Sequence, residues 1–132
     1  MQPHPQPSFL SDLVTEANGA VAAIHVGPEG LVAGTSPGIA RDEADKWAAL
    51  MAALGSVSGR SLDIAGDLAS RGNPWSHSVI EDRFGQTLIL VGAPDQSMLA
   101  VIGAKDADLG DIVGRMIELA DQGLPTPASV WS

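Results

Sequence analysis

Seven consecutive residues, Ala20–Val26, are apolar at every position but His25, and this run constrains the fold more than any other feature. Gly27-Pro28-Glu29-Gly30 follows as a turn, and Leu31–Thr35 returns as a second strand. A half-exposed strand alternates apolar and polar side chains. One that does not alternate is covered on both faces. The run therefore predicts a sheet with helices on both sides.

The remaining elements fit that frame. Ser8 can cap a first helix whose apolar positions Phe9, Leu10, Leu13, Val14 and Ala17 follow a 3.6-residue period, and Asn18-Gly19 stops it. Pro37-Gly38 closes the second strand. A long helix is expected from Asp42 to about Leu68, with Asp42 as its cap, acidic residues in its first turn and Gly59 as a point where it can bend. Trp47, Leu50, Met51, Leu54, Val57, Ser58, Leu62 and Ala65 form one broad stripe, read as the face turned to the core. Ala48, Ala52, Gly55, Ser56 and Gly59 place small side chains on an adjacent face, where a second backbone can approach closely.

After the loop Arg71-Gly72-Asn73-Pro74, the segment Trp75–Arg83 alternates Trp75, His77, Val79 and Glu81 with Ser76, Ser78, Ile80 and Asp82. Such a mixed strand belongs at a sheet edge. Thr87–Val91 and Met98–Ile102 are solidly apolar and so central, joined by turns at Phe84-Gly85-Gln86 and Ala93-Pro94-Asp95-Gln96. Asp108 starts a last helix carrying Leu109, Ile112, Val113, Met116, Ile117 and Ala120 inward, which Gly123 and Pro125 end. The predicted class is α+β: a three-layer α/β/α sandwich with a five-stranded antiparallel sheet, in the order α-β-β-α-β-β-β-α.

Composition narrows the function. At 132 residues the chain is one domain in size, large enough to bury about two thirds of its extended surface. The domain spans 8–122, between a disordered Pro-rich segment at 1–7 and a tail at 123–132. Met1–Pro7 shows no basic start or apolar core of a secretory signal, and no apolar run reaches the length of a membrane span. The net charge of −9, with seven scattered basic residues, disfavours nucleic acid and anionic lipid. The absence of cysteine removes disulfides, thiol catalysis and cysteine-ligated zinc, and fits a reducing, cytoplasmic setting.

Catalytic patterns fail on their own geometry. Gly34-Thr35-Ser36-Pro37-Gly38 has the letters of a nucleophile elbow, but there the residue after the serine donates its N–H to the oxyanion, and Pro37 has none. Asp106-Ala-Asp108-Leu-Gly110-Asp111 lacks the glycine and glutamate spacing of a calcium loop, so helix capping is the expected role. His4, His25 and His77 share no element or ligand spacing. His25 is expected to be a hydrogen-bonded core residue, and His77 an exposed or interface residue. No phosphate-binding glycine loop is present, and neither an enzyme nor a cofactor is expected.

Val21–Ala33 resembles the first hairpin of roadblock domains, and Gly38–Leu54 is similar to the start of that family's central helix. With the element order, the resemblance covers roughly 8–122 and is nearest to actinobacterial roadblock proteins associated with a sensor kinase and a Ras-like GTPase. It implies a homodimer pairing the central helix and third strand across a two-fold axis. Ala48, Ala52, Gly55, Ser56 and Gly59 of the helix and Trp75, His77, Val79 and Glu81 of the strand are the expected interface. It also implies that the paired helices hold a small Ras-like GTPase, with a sensor kinase as a further partner. Alternatives are a small-ligand sensor, to which His25 would contribute, or a scaffold for a kinase complex.

Overall fold

In the computed structural model, residues 9–69 and 75–124 are described. Ser8, the Arg71–Pro74 loop, the 1–7 segment and the C-terminal tail from Pro125 lie outside them. The elements are α1 (Phe9–Glu16), β1 (Ala20–Val26), β2 (Val32–Thr35), α2 (Arg41–Ala69), β3 (His77–Glu81), β4 (Thr87–Gly92), β5 (Met98–Gly103) and α3 (Leu109–Gln122). The expected order and class hold. All strand pairs are antiparallel in the order β2-β1-β5-β4-β3, so the two solidly apolar strands are central and β3 is an edge.

The sheet faces alternate along each strand, and both are buried. On one, Ala23, Ile89, Val91, Leu99 and Val101 pack against Leu10 and Leu13 of α1 and Ile112, Met116 and Ala120 of α3. On the other, Ile24, Val26, Leu90 and Ala100 pack against Ala44, Ala48 and Met51 of α2. This is why β1, β4 and β5 read as continuous apolar runs.

Local chemistry sets the boundaries. Asp108 caps α3, its Oδ1 accepting from the Asp111 N–H at 3.1 Å, and Gly123 follows the helix with φ 95°. Arg115 joins α3 to α1 through Glu16 at 3.5 Å. At α2 the expected cap is corrected. The Ala44 N–H already bonds the Ala40 carbonyl, so Asp42 lies inside the first turn, where its charge opposes the helix dipole. The helix is unbroken at Gly59. The third strand is shorter than expected, with Trp75 and Ser76 ahead of it and Asp82 and Arg83 in the following turn.

The larger correction concerns which side of α2 meets the sheet. Ala44, Ala48, Met51 and Gly55 are buried there, whereas Leu50 and Val57 of the expected core stripe are 65% and 58% exposed. Small residues let the helix sit close to its own sheet; Met51, Trp47 and Leu54 of the expected stripe also pack on that core, while Leu50 and Val57 look outward.

Candidate interaction surface

The exposed apolar side chains of the described residues concentrate on α2 and β3. Leu50, Val57, Leu62, Ile64 and Leu68 are exposed along the helix, and Val79 and Ile80 along the edge strand. Among the described residues β3 is hydrogen-bonded only to β4, in register from His77 opposite Val91 to Glu81 opposite Thr87, and its other side is without a strand partner there. An open strand edge beside an apolar helix face is a surface that soluble proteins cover.

The sequence-predicted interface residues divide. Ser56 of α2 and His77, Val79 and Glu81 of β3 are exposed, and a methyl added at Gly59 would meet no other element of the described residues within 4 Å. Ala48 is 1% exposed and packs inside its own core. Gly55 is buried under Met98, Leu90 and Trp75. Ala52 faces the β1–β2 turn, where a methyl on Gly30 would lie 3.4 Å from it. Trp75 is half-buried against its own chain and donates its indole N–H to Ser78 Oγ at 2.9 Å, and that hydroxyl in turn donates to Ser58 Oγ at 2.8 Å. Ala48, Gly55 and Trp75 are therefore corrected from partner-facing to internal. Leu50, Ile64, Leu68 and Ile80 are exposed apolar residues of the same surface that the expected set left out. The signal for the helix was available, since Leu50, Val57 and Ile64 recur at seven-residue steps.

A groove with a cavity of about 630 Å³ adjoins this surface, at the end of the sheet where α2 begins. Ala22, Leu88, Ile102 and Ile80 form its floor, Ile39 and Trp47 its wall, and Glu43, Asp82 and Gln86 its polar rim.

The candidate chemistry resolves into structural roles. Ser36 is 2% exposed; its hydroxyl accepts from the Ala23 N–H at 2.9 Å, and its own N–H bonds the Ala23 carbonyl. It closes the first hairpin and presents no nucleophile. Arg41 is 83% exposed and pairs with Asp45 on its own helix at 3.6 Å. His25 is buried edge-on to Phe9, ring centres 5.8 Å apart, and its Nε2 lacks the hydrogen-bond partner expected for it. Burial holds its pKa below the ordinary histidine value, with the Asp95 carboxylate partly opposing. Asp95 is itself held below the usual range, chiefly by the Ser97 hydroxyl bonded to it. Among the described residues, no three of His, Cys, Asp or Glu gather as a metal site. No described helix is long and apolar enough to cross a membrane.

This arrangement defines a class: an open five-stranded sheet with one long helix on one face and two on the other is the Roadblock/LC7 fold. It is similar to the Roadblock/LC7 domain from Streptomyces avermitilis, at 27% identity over 85% of this chain and 88% of that one, with a TM-score of 0.75. A second structure of a Roadblock/LC7 domain from the same organism shares 24% identity over 92% of this chain and all of that one (TM-score 0.60). Myxococcus xanthus MglB has the same fold at 16% identity, with 89% and 94% of the chains covered and a TM-score of 0.68. No family model matches the sequence, and no curated protein does either.

Proposed function

We propose that this chain is a homodimeric, non-enzymatic adaptor that holds and regulates a small Ras-like GTPase in the cytoplasm, within a complex that includes a sensor kinase. The observation that carries the reading is the open β3 edge lying beside the exposed apolar row of α2. A two-fold axis beside β3 would continue the sheet into a second copy and bring the two α2 helices together. One patch then serves both subunits. The likeness in fold to MglB supports self-association, since one MglB structure is described as a tetrameric arrangement, although at 16% identity.

Once paired, the two helices offer a broad, rigid face to a partner. Leu50 and Val57 sit there among exposed Ala49, Ala53 and Ser56, an apolar centre with a charged surround at Asp42, Lys46 and Arg60. The expected mode of regulation is binding that rearranges the GTPase, because Arg41 already pairs with Asp45 and is not poised as an arginine finger.

A small-ligand sensor would need convergent polar groups around an enclosed cavity. His25 packs on the α1 and α3 face, away from the groove, which supports the adaptor reading over the sensor. The test is co-purification with candidate small GTPases loaded with GDP or GTP, followed by a hydrolysis assay. Nucleotide-dependent capture is the expected result. Capture of none, together with a metabolite bound at the groove, would replace this reading with the sensor.

A further inference from the structure

Helix α2 outruns the sheet it covers. It starts after the end of β2 and crosses to the opposite end of the sheet. There a methyl on Gly30 would lie 3.4 Å from Ala52, and one on Gly55 would lie 2.7 Å from Sδ of Met98, the first residue of β5. Ser58 still reaches Ser78 of β3. Beyond it, every residue from Arg60 to Leu68 is exposed except half-buried Gly66. Ala48 and Gly55 belong to the sheet-facing row, and Leu62, seven residues further on, continues that row with 42% of its surface exposed. The underside of the overhang is therefore an apolar seat that the described residues leave uncovered. A helical stretch this short, unsupported, is marginal in water.

The C-terminal segment leaves the fold at the same end of the sheet. Helix α3 begins where the Asp108 N–H bonds the Asn18 carbonyl, next to the end at which Ala20 pairs with Gly103. Its 14 residues run roughly 21 Å back along the sheet, about the length of a six-residue strand. Leu124, 7% exposed in the core between the sheet and α1 and α3, thus lies near the end where α2 runs out, on the opposite face. Pro125–Ser132 follows it and carries no charged side chain in a chain of net charge −9, but does carry Val130 and Trp131.

We infer that Pro125–Ser132 rounds this end of the sheet and seats Val130 and Trp131 against Leu62, beneath the overhang of α2 in the same chain. The reach is sufficient. Two packed layers of about 10 Å each, and about 10 Å of helix from Gly55 to Leu62, make a path of roughly 22 Å. Trp131 is the seventh residue after Leu124 and reaches about 24 Å in an extended chain. Pro125 and Pro127 favour that extended form and lower the entropy lost on docking. An indole is also the side chain that buries most apolar area for the least ordering. The seat is separate from the outer row: Leu50, Val57 and Ile64 look away from the sheet, whereas Leu62 continues the row that faces it. The strap would thus stiffen the helix from below and leave its outer face free, so it does not depend on the dimeric reading.

The chain has no cysteine, so introduced ones are clean probes. In the full-length protein, L62C should react slowly with maleimide, at a rate independent of protein concentration between about 1 and 50 micromolar. Adding W131D should accelerate it at least tenfold and leave the rate of V57C unchanged. L62C with V130C, treated with a short bis-maleimide, should give an internally bridged chain of 13.5 kDa. Equal L62C rates with the native and W131D tails would overturn the strap and leave the seat to another protein. A cross-linked product mainly of 27 kDa, or protection of L62C that disappears on dilution, would assign the seat to a second copy and overturn it equally.

Discussion

Trp75 occupies the space that any side chain at Gly92 would need: a methyl there would lie 2.7 Å from the indole Cζ3. Gly55 borders the same slot from α2, 3.6 Å from the ring by the same measure and 2.7 Å from Met98 Sδ. The indole thus wedges between the middle of α2 and the end of β4, with its N–H satisfied by Ser78.

Filling that slot is therefore costly. G92A is expected to destabilise the fold by about 1–3 kcal/mol through overpacking, read as a lower urea midpoint with an unchanged slope. G59A meets only open space in its own chain and should raise monomer stability by up to about 1 kcal/mol, because alanine favours helix. If the two substitutions behaved alike, the placement of Trp75 would be wrong.

His25 should make the fold sensitive to mild acid. Its folded pKa is depressed by burial, so the unfolded chain binds the proton more readily. The contribution is complete above the unfolded value near 6.5 and is lost as pH falls toward the folded one. Urea denaturation at pH 7.5 and 5.5 should show lower stability at 5.5 for the wild type and a smaller difference for H25L. An equal difference in both would assign the effect to other groups.

Ser36 tests the structural reading of the elbow-like letters. S36A removes the acceptor for a buried Ala23 N–H, and an orphaned buried donor costs about 1–3 kcal/mol. Thermal unfolding should show that loss, with GTPase capture by the folded fraction unchanged. Capture lost at full stability would point to a functional hydroxyl instead.

V57D places a charge at the centre of the exposed row, where the two helices are proposed to meet. It should weaken dimerisation at least tenfold without lowering monomer stability, because Val57 is 58% exposed in its own chain. Light scattering across a dilution series reads this directly.

The sheet was legible because each central strand states its environment. Ala20–Val26 has the bounds it shows in the fold, and β4 and β5 run only one residue past the expected Val91 and Ile102. The Asp108 cap was legible too, since a short carboxylate three residues before Asp111 has one geometric use there. The orientation of α2 was not. Ranking helix faces by side-chain size assumes that the largest apolar residues turn to the chain's own core, and that holds for Met51, Trp47 and Leu54 but not for Leu50 and Val57. In α2 the sheet takes Ala44, Ala48, Met51 and Gly55, while Leu50, Val57 and Ile64 look away from it. Trp75 misled for a related reason: read as one step of an alternating strand, it lies just before the strand, in a slot made by two glycines distant in sequence.

The central claim is that a second copy of this chain completes the β3 edge and the outer row of α2. Sedimentation equilibrium of the full chain between about 1 and 50 micromolar tests it most directly. The account predicts a mass near 27 kDa, twice the 13.5 kDa of one chain. A single species of 13.5 kDa across that range would contradict it.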